Sequence, residues 1–433
     1  MKGIVADLFA GAGGATVGIE AALGRLVDVA INHSATALAV HAANHPETTH
    51  LCGDIWSYAP LEVTKGRPVD FLWGSPTCTF FSRAKGGPLD RRKALKVRSL
   101  AWVLGRWARD PRTRPRMWMV ENVESFEHWG PLLVDGKPCP ERRGKTFRRW
   151  VRELERFGYD IEWRNLSACD YGAPTTRRRI FVVGRCDGEP IAWPEPTHGR
   201  GLLPYRGAAD VIDWSIPVPS IFDRSKPLAD TTLRRIARGI HRFVLSGDPY
   251  IVGSNVAATL IQRGYGERKG QAPRCMDIRQ PLGTVVAGGV KHALVTAAFV
   301  AKHFGGNESP GQSLRQPLGT VTCRDHHALV VASGYGDRRA EVRALLDRFP
   351  EGRGEPSLFA PAIEIADIGM RWLTPRELAR AQGFDDSFRL DIEVDGKPLG
   401  VTEQVKLIGN SVSPVVAEAL VRANLRRGEV RAA

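Results

Sequence analysis

Gly3-Ile4-Val5-Ala6-Asp7-Leu8-Phe9-Ala10-Gly11-Ala12-Gly13-Gly14, running on into Ala15 to Leu23, carries the first signal of the chain's architecture. A short apolar run around Asp7 breaks into a glycine-rich turn, and a helical pattern takes over. Strand, glycine turn and helix in that order open a nucleotide-binding α/β unit. Glycines let the backbone approach a ligand where a Cβ would collide with it. Further strand-like runs follow at Val27–Ile31, Val69–Gly74, Met117–Val123, Ile161–Leu166 and Ile180–Val183. Between two of them, Val97, Leu100, Ala101, Leu104, Trp107 and Ala108 form the apolar stripe of an amphipathic helix, with Lys93, Lys96, Ser99 and Arg106 facing away. Strands alternating with helices predict an α/β fold with a doubly wound, mostly parallel sheet covered on both faces.

After about Gly184 the pattern changes. Pro, Gly and short β-rich pieces dominate from Glu189 to about Pro361, with no βα alternation. Arg279-Gln280-Pro281-Leu282-Gly283-Thr284-Val285 recurs as Arg315-Gln316-Pro317-Leu318-Gly319-Thr320-Val321. Each copy is followed by a histidine and an Ala-Leu-Val strand, at His292–Val295 and His327–Val330, and Lys226–Thr232 is a weaker third copy. These repeats predict a second domain of repeated β elements. The resulting division is 1–190, 191–400 and a C-terminal segment 401–433. Thr374-Pro375-Arg376-Glu377 is a capping box with proline at the first helical position, and Ser413-Pro414 opens the last helix in the same way.

Lys and Arg number 61 against 47 Asp and Glu, a net charge of +14 that favours encounter with polyanions. The surplus is concentrated. One run comprises Arg83, Lys85, Arg91, Arg92, Lys93, Lys96 and Arg98; another comprises Arg142, Arg143, Lys145, Arg148, Arg149 and Arg152. Either is a nucleic-acid contact or a solvated helix face. No apolar run approaches the roughly 20 residues of a membrane span, and the N-terminus lacks a secretory layout. The 7 cysteines form no CxxC pair, which argues against a disulfide framework or zinc ribbon. The expectation is a soluble, reduced, cytoplasmic protein, nucleoid-associated through an anionic partner.

Cys78 follows a buried-looking strand at the C-terminal edge, where α/β sheets place ligands. A nucleophilic cysteine needs an electropositive setting, which Arg83 and Lys85 supply; the alternative is a small buried hydrophobe. Glu121 ends the strand from Met117, placed to hydrogen-bond and protonate a ring nitrogen, or else to act as an N-cap or in an ion pair. Arg177 and Arg179 project to one face, suited to a phosphate or carbonyl oxygen or to a structural bond with carboxylates. Cys323-Arg324-Asp325-His326-His327 has no second ligand pair at suitable spacing, so no metal site is expected. The second strand runs into Asn32 rather than the acid of a dinucleotide site, which disfavours hydride transfer.

Taken in order, these blocks resemble the DNA (cytosine-5)-methyltransferases. Asp7 to Gly14 is similar to that family's cofactor loop, Asp54-Ile55 to its adenine-contacting acid, and Pro76-Thr77-Cys78 to its nucleophile loop. Glu121-Asn122-Val123 matches its Glu-Asn-Val motif, and Arg177-Arg178-Arg179 the end of its Gln-x-Arg-x-Arg block. Arg371 to Glu377, running to Gln382-Gly383-Phe384, resembles the block supporting the recognition domain. Gly409-Asn410-Ser411-Val412 resembles the block that returns to the cofactor pocket. The chain has Thr77 where the family usually has proline, Thr79 and Thr175 where it has glutamine, and Asn32 where an acid binds the ribose.

The resemblance implies a Rossmann-like class I methyltransferase with an inserted, smaller β-rich target recognition domain. It implies S-adenosylmethionine as cofactor, held by Asp7, Phe9, Ala10, Gly11, Gly13, Gly14, Asn32, Asp54, Ile55, Pro76, Asn410 and Ser411. Cys78 would attack C6 of a cytosine flipped from duplex DNA, with Glu121, Arg177 and Arg179 as its catalytic partners. DNA contacts fall to Ser82, Arg83, Lys85, Arg91 and Arg92 in a loop spanning Phe80 to Arg98, and to Arg324, His326 and His327 in the repeats. A monomer, alone or beside a cognate restriction endonuclease, is the expected assembly. A tRNA methyltransferase of the same fold and a catalytically silent DNA-binding relative are the alternatives.

Overall fold

Ile4–Leu8 is buried at every position, as an interior strand of a sheet covered on both faces must be. In the computed structural model it forms β1, and residues 3–77, 91–245, 249–253, 256–263, 271–299, 336–350 and 365–425 are described. The chain continues through α1 (Gly14–Leu23), β2 (Val29–Asn32), α2 (Ala35–Asn44), β3 (Thr49–Cys52), α3 (Pro60–Thr64) and β4 (Val69–Gly74). Next come α4 (Arg91–Arg98), α5 (Val103–Arg109), β5 (Met117–Asn122), α6 (Lys145–Glu155), β6 (Asp160–Ser167) and β7 (Arg178–Arg185). After these lie α7 (Asp230–Ile240), β8 (Tyr250–Val252), β9 (Val256–Gln262), β10 (Cys275–Met276), β11 (His292–Phe299), α8 (Arg339–Arg348) and β12 (Ile365–Trp372). The described chain closes with α9 (Pro375–Gln382), α10 (Val401–Asn410) and α11 (Pro414–Asn424). Two units result: Met1–Arg206 with Pro281–Gly289 and Leu378–Ala433, and Gly207–Gln280 with Val290–Glu377.

The first unit holds a seven-stranded sheet in the order β3-β2-β1-β4-β5-β7-β6. Its pairs are parallel except those made by β7, which runs against β5 and β6. Side chains alternate between two apolar layers, as the period of a strand requires. Leu8, Leu72, Trp118, Val120, Ile180 and Val182 enter one core with Trp107, Phe126, Phe147 and Trp150. Val5, Phe71, Trp73, Met119, Phe181 and Val183 enter the other with Ile19, Val416 and Leu420. Each large side chain so buried contributes about 1.5–3 kcal/mol. Trp118 makes edge contacts with Trp150 and Tyr159, with ring centroids 5.9 and 5.7 Å away. Gly184 lies opposite it in register, and a Cβ there would sit 2.2 Å from the indole.

The doubly wound α/β fold expected from the glycine turn is the one observed. Two local readings differ, those of the Val97–Ala108 helix and of β3. The helix expected from the Val97–Ala108 stripe is α4 and α5 separated by a 3-10 turn at Ser99–Trp102, where Ser99 Oγ donates to the Lys96 carbonyl at 2.6 Å and competes with helical pairing. The second basic run lies largely in α6, which buries Phe147, Trp150, Val151 and Leu154 and leaves Arg148, Arg149 and Arg152 exposed. β3 was not evident because an edge strand reading Thr-His-Leu-Cys buries too little to alternate.

The second unit is an antiparallel sheet, β10-β9-β11-β12 with β8 added on β9. Ile236, Ile240, Ala257, Ile261, Val295, Leu345, Ile368 and Met370 form its core. At its end the expected capping box is present. Thr374 Oγ1 accepts from the Glu377 N–H at 3.2 Å, and Glu377 Oε2 accepts from the Thr374 N–H at 2.7 Å. Glu377 is also clamped by Arg371, whose Nη2 and Nη1 lie 2.7 and 2.9 Å from its two oxygens. Burial opposes the charge of Glu377, but Arg371 and the Thr374 and Asp213 N–H groups outweigh it and hold the carboxyl below its ordinary range.

Candidate active site

β1, β4 and β5 end side by side, and their C-terminal edge carries the site. Phe9 leaves β1 with φ 64°, a left-handed conformation that a bulky residue adopts only when its surroundings impose it. Gly11 and Gly13 follow at φ 58° and 105°, and Gly13 stands at the N-cap of α1. Ala10 is buried, and its N–H donates to the Ile31 carbonyl at 3.2 Å, fastening the turn to β2. Gly14 has no room for a side chain, since a Cβ would lie 2.1 Å from Ser411 Oγ and 2.3 Å from the Val412 carbonyl. The block Gly409-Asn410-Ser411-Val412 thus reaches the glycine turn, as expected of it, although Asn410 itself is exposed.

Asn32 ends β2 half-buried, with its carboxamide oxygen accepting from the Ser34 N–H at 2.9 Å. That leaves its amide N–H groups as what it offers a ligand. Asp54 is exposed and caps the turn Ile55–Ser57 by accepting from the Trp56 N–H at 3.1 Å, while Ile55 is buried. Leu8, Phe9, Gly74, Pro76, Ala101, Val103, Leu104 and Val120 line a small apolar recess between the strand ends.

Glu121 is buried near the end of β5. Its Oε1 lies 3.2 Å from Arg179 Nε and 3.6 Å from Arg177 Nη2, so the two arginines expected to share a face converge on this carboxylate. Arg177 is itself buried and donates from Nη1 to the Gly409 carbonyl at 3.2 Å. The neighbouring Asn122 donates from Nδ2 to the Pro76 carbonyl at 2.8 Å, tying the Glu-Asn-Val strand end to the loop after β4. Sequence reasoning missed this tie, although Asn122 sits inside a motif it had singled out.

It also missed the seat of the first repeat copy. Leu282 N–H donates to the Pro174 carbonyl at 2.9 Å, and its own carbonyl accepts from the Thr176 N–H at 2.8 Å. The Val286–Ala287 backbone fills the space a Gly409 Cβ would need. Pro281–Gly289 therefore buttresses the segment that delivers Arg177. The second copy, Arg315–Val330, lies outside the described residues, as do Cys78, Ser82, Arg83, Lys85, Arg324, His326 and His327. Arg91 opens α4 without a described side chain, and Arg92 is exposed.

Beneath the glycine turn runs a buried polar network with no counterpart in the sequence reading. Thr16 Oγ1 donates to Asp7 Oδ2 at 2.9 Å and lies 3.0 Å from His41 Nε2, whose Nδ1 lies 2.9 Å from His50 Nε2. His45 Nδ1 lies 2.9 Å from Glu20 Oε2. Burial pushes the Asp7 carboxyl up to about 7, the Thr16 bond recovering only part of the shift. Burial drives His41 down to about 2, and His45 and His50 add to the effect. Among the described residues, Asp7 Oδ1 and Ser411 Oγ are buried without a hydrogen-bond partner. Unmet polar atoms flanking a glycine turn fit a polar ligand seated there.

Residues 4–199 and 334–426, more than half of the chain, match the family model described as C-5 cytosine-specific DNA methylase. Type II methyltransferase M.SacI from Streptomyces achromogenes is 33% identical over 211 residues, 45% of this chain and 50% of that protein. Type II methyltransferase M.AgeI from Thalassovita gelatinovora is 33% identical over 202 residues, 45% of this chain and 42% of its own length. The chain spans about half the length of these relatives. Among solved structures, the Entamoeba histolytica methyltransferase EhMeth aligns over 98% of both chains with a TM-score of 0.53 at 14% identity, a likeness of fold.

Proposed function

The chain belongs to the C-5 cytosine-specific DNA methylase family, and from that premise we propose that it methylates C5 of a cytosine flipped out of duplex DNA. The observation that carries this reading is the buried Glu121 between Arg177 and Arg179, fastened through Asn122 to Pro76, two residues before Cys78. S-adenosylmethionine supplies the methyl group as a sulfonium. Phe9, Ala10, Gly11, Gly13, Gly14, Asn32, Ile55, Pro76, Asn410 and Ser411 would hold it, with Asp7 beneath the turn and Asp54 toward the adenine.

C5 and C6 of a stacked cytosine are out of reach, so the base leaves the helix first. The Cys78 thiolate then adds to C6, and Glu121 delivers a proton to N3, leaving C5 electron-rich. Arg179 and Arg177 keep Glu121 in place and face the base carbonyl and the nearby phosphate. Once C5 carries the methyl group, its proton is lost to water, Cys78 departs as thiolate and the N3 proton returns to Glu121, which restores the neutral aromatic ring. Residues Phe80 to Arg98 close over the DNA, and the antiparallel unit between Gly207 and Glu377 reads the target. The chain works as a monomer in the cytoplasm, and the Type II names of M.SacI and M.AgeI favour a companion restriction endonuclease.

Duplex DNA containing 5-fluorocytosine tests this, because fluorine at C5 cannot leave as a proton does. With S-adenosylmethionine present, the protein should become covalently attached, and Cys78→Ser should abolish attachment while DNA binding stays measurable. Trapping by Cys78→Ser would refute the nucleophile. Attachment to fluorinated tRNA instead of DNA would move the substrate to RNA.

A further inference from the structure

Asp7 is fully buried in β1, two residues before the turn begins at Phe9, where a lone ionised carboxylate would be costly. Its strand neighbours in register, Ala30 and Trp73, carry no charge. From α1 it meets Thr16; α2 brings His41 and, beside it, His45, which is paired with Glu20 of α1; β3 brings His50. Asp7, Thr16, His41 and His50 form an unbroken line with links of 2.9, 3.0 and 2.9 Å. The line starts at a buried acid and ends at a half-buried ring. Both ring nitrogens of His41 are engaged, one toward each end, which is the arrangement a neutral imidazole needs to pass a proton by exchanging tautomers.

We propose that Thr16, His41 and His50 are a proton line that lets Asp7 ionise without opening the cofactor turn, so that its charge answers the sulfonium of the cofactor. With Asp7 protonated, its carboxyl O–H donates to Thr16 Oγ1 and the Thr16 hydroxyl points to His41 Nε2. In one concerted shift Asp7 gives its proton to Thr16 Oγ1, the Thr16 proton passes to His41 Nε2 and the His41 Nδ1 proton passes to His50 Nε2, which leaves Thr16 donating to Asp7 Oδ2 as observed; His50 releases its Nδ1 proton to water. The net change is one carboxylate formed and one proton delivered to solvent, with every intermediate group restored to neutrality. Thr16, His41 and His50 are therefore positioning residues, acting on the cofactor only through Asp7. The cofactor half of this inference rests on the function proposed above; the proton line does not.

The test follows the His41 tautomer by long-range proton–nitrogen correlation spectra of the full chain labelled in histidine, without cofactor, from pH 5.5 to 8.5. His41 should stay neutral and pass from the Nδ1–H to the Nε2–H form as Asp7 ionises. Asp7→Asn and Thr16→Val should each abolish the transition, and Thr16→Ser should keep it. A His41 tautomer that is constant in the wild type, or that still switches in Thr16→Val, overturns the line. S-adenosylmethionine should then lower the midpoint by about one pH unit, a tenfold preference for ionised Asp7, whereas its uncharged thioether counterpart, S-adenosylhomocysteine, should not. Equal shifts from both would refute the charge-matching role. Failure of S-adenosylmethionine to bind would instead sink the proposed function and leave the proton line standing.

Discussion

Asp7 and His41 are held in opposite departures from their ordinary behaviour by the same burial. Asp7 rises from 3.8 to about 7, so between those values the folded chain keeps a proton that the unfolded chain has released, and stability falls as pH rises. His41 falls from 6.5 to about 2, so between those values the unfolded chain holds the extra proton, and stability rises with pH. The two slopes oppose each other where the windows overlap. Asp7→Asn should expose a gain of stability with pH of about 1.4 kcal/mol per unit between roughly pH 4 and 6, and His41→Gln a loss of similar size. Urea denaturation at several pH values measures both. Parallel slopes in the two variants would contradict the opposed burial effects. At this scale the sequence was legible for groups whose chemistry shows in their type, such as Glu121 and its arginines. Thr16, His41 and His50 were silent, because a threonine and two histidines on separate elements reveal nothing until those elements stack.

The elements show where local and distant information separate. The capping box at Thr374–Glu377 was legible because a cap is a bond between residues three apart. That Glu377 also carries a bidentate bond from Arg371 was not legible, although both residues lie within the seven-residue stretch Arg371 to Glu377. Replacing Glu377 by alanine should cost about 3–5 kcal/mol in thermal or denaturant unfolding, since Arg371 would be left buried and uncompensated. A cost no larger than the roughly 1 kcal/mol of a lost cap would show that the ion pair contributes little. Because the Glu377 carboxyl is lowered in the folded chain, its contribution should be full above its ordinary range and vanish as pH falls through the folded value. The break between α4 and α5 belongs here too: periodicity runs on through Ser99, while the backbone winds there as a 3-10 turn at which Ser99 Oγ donates to the Lys96 carbonyl.

For the whole molecule, the net charge of +14 and the basic runs make a statement about association rather than folding. Binding to duplex DNA should weaken about a thousandfold between 50 and 200 mM salt if some six phosphates are neutralised. Fluorescence anisotropy over that range measures the slope, and an affinity indifferent to salt would remove the basic runs from the interface. Read in order, the residues already carry the doubly wound α/β class, the glycine turn, an acid at a strand end, two arginines on one face, and the family. Each of those depends on side-chain type or on spacing within a few residues. Packing alone brings Arg177 to the Gly409 carbonyl 232 positions away, closes Ser411 on Gly14, and sets Leu282 of the first repeat copy against Pro174 and Thr176 on the approach to Arg177. Such pairings arise from the order in which strands and crossovers pack, and that order brings together groups between which the chain itself has no spacing rule.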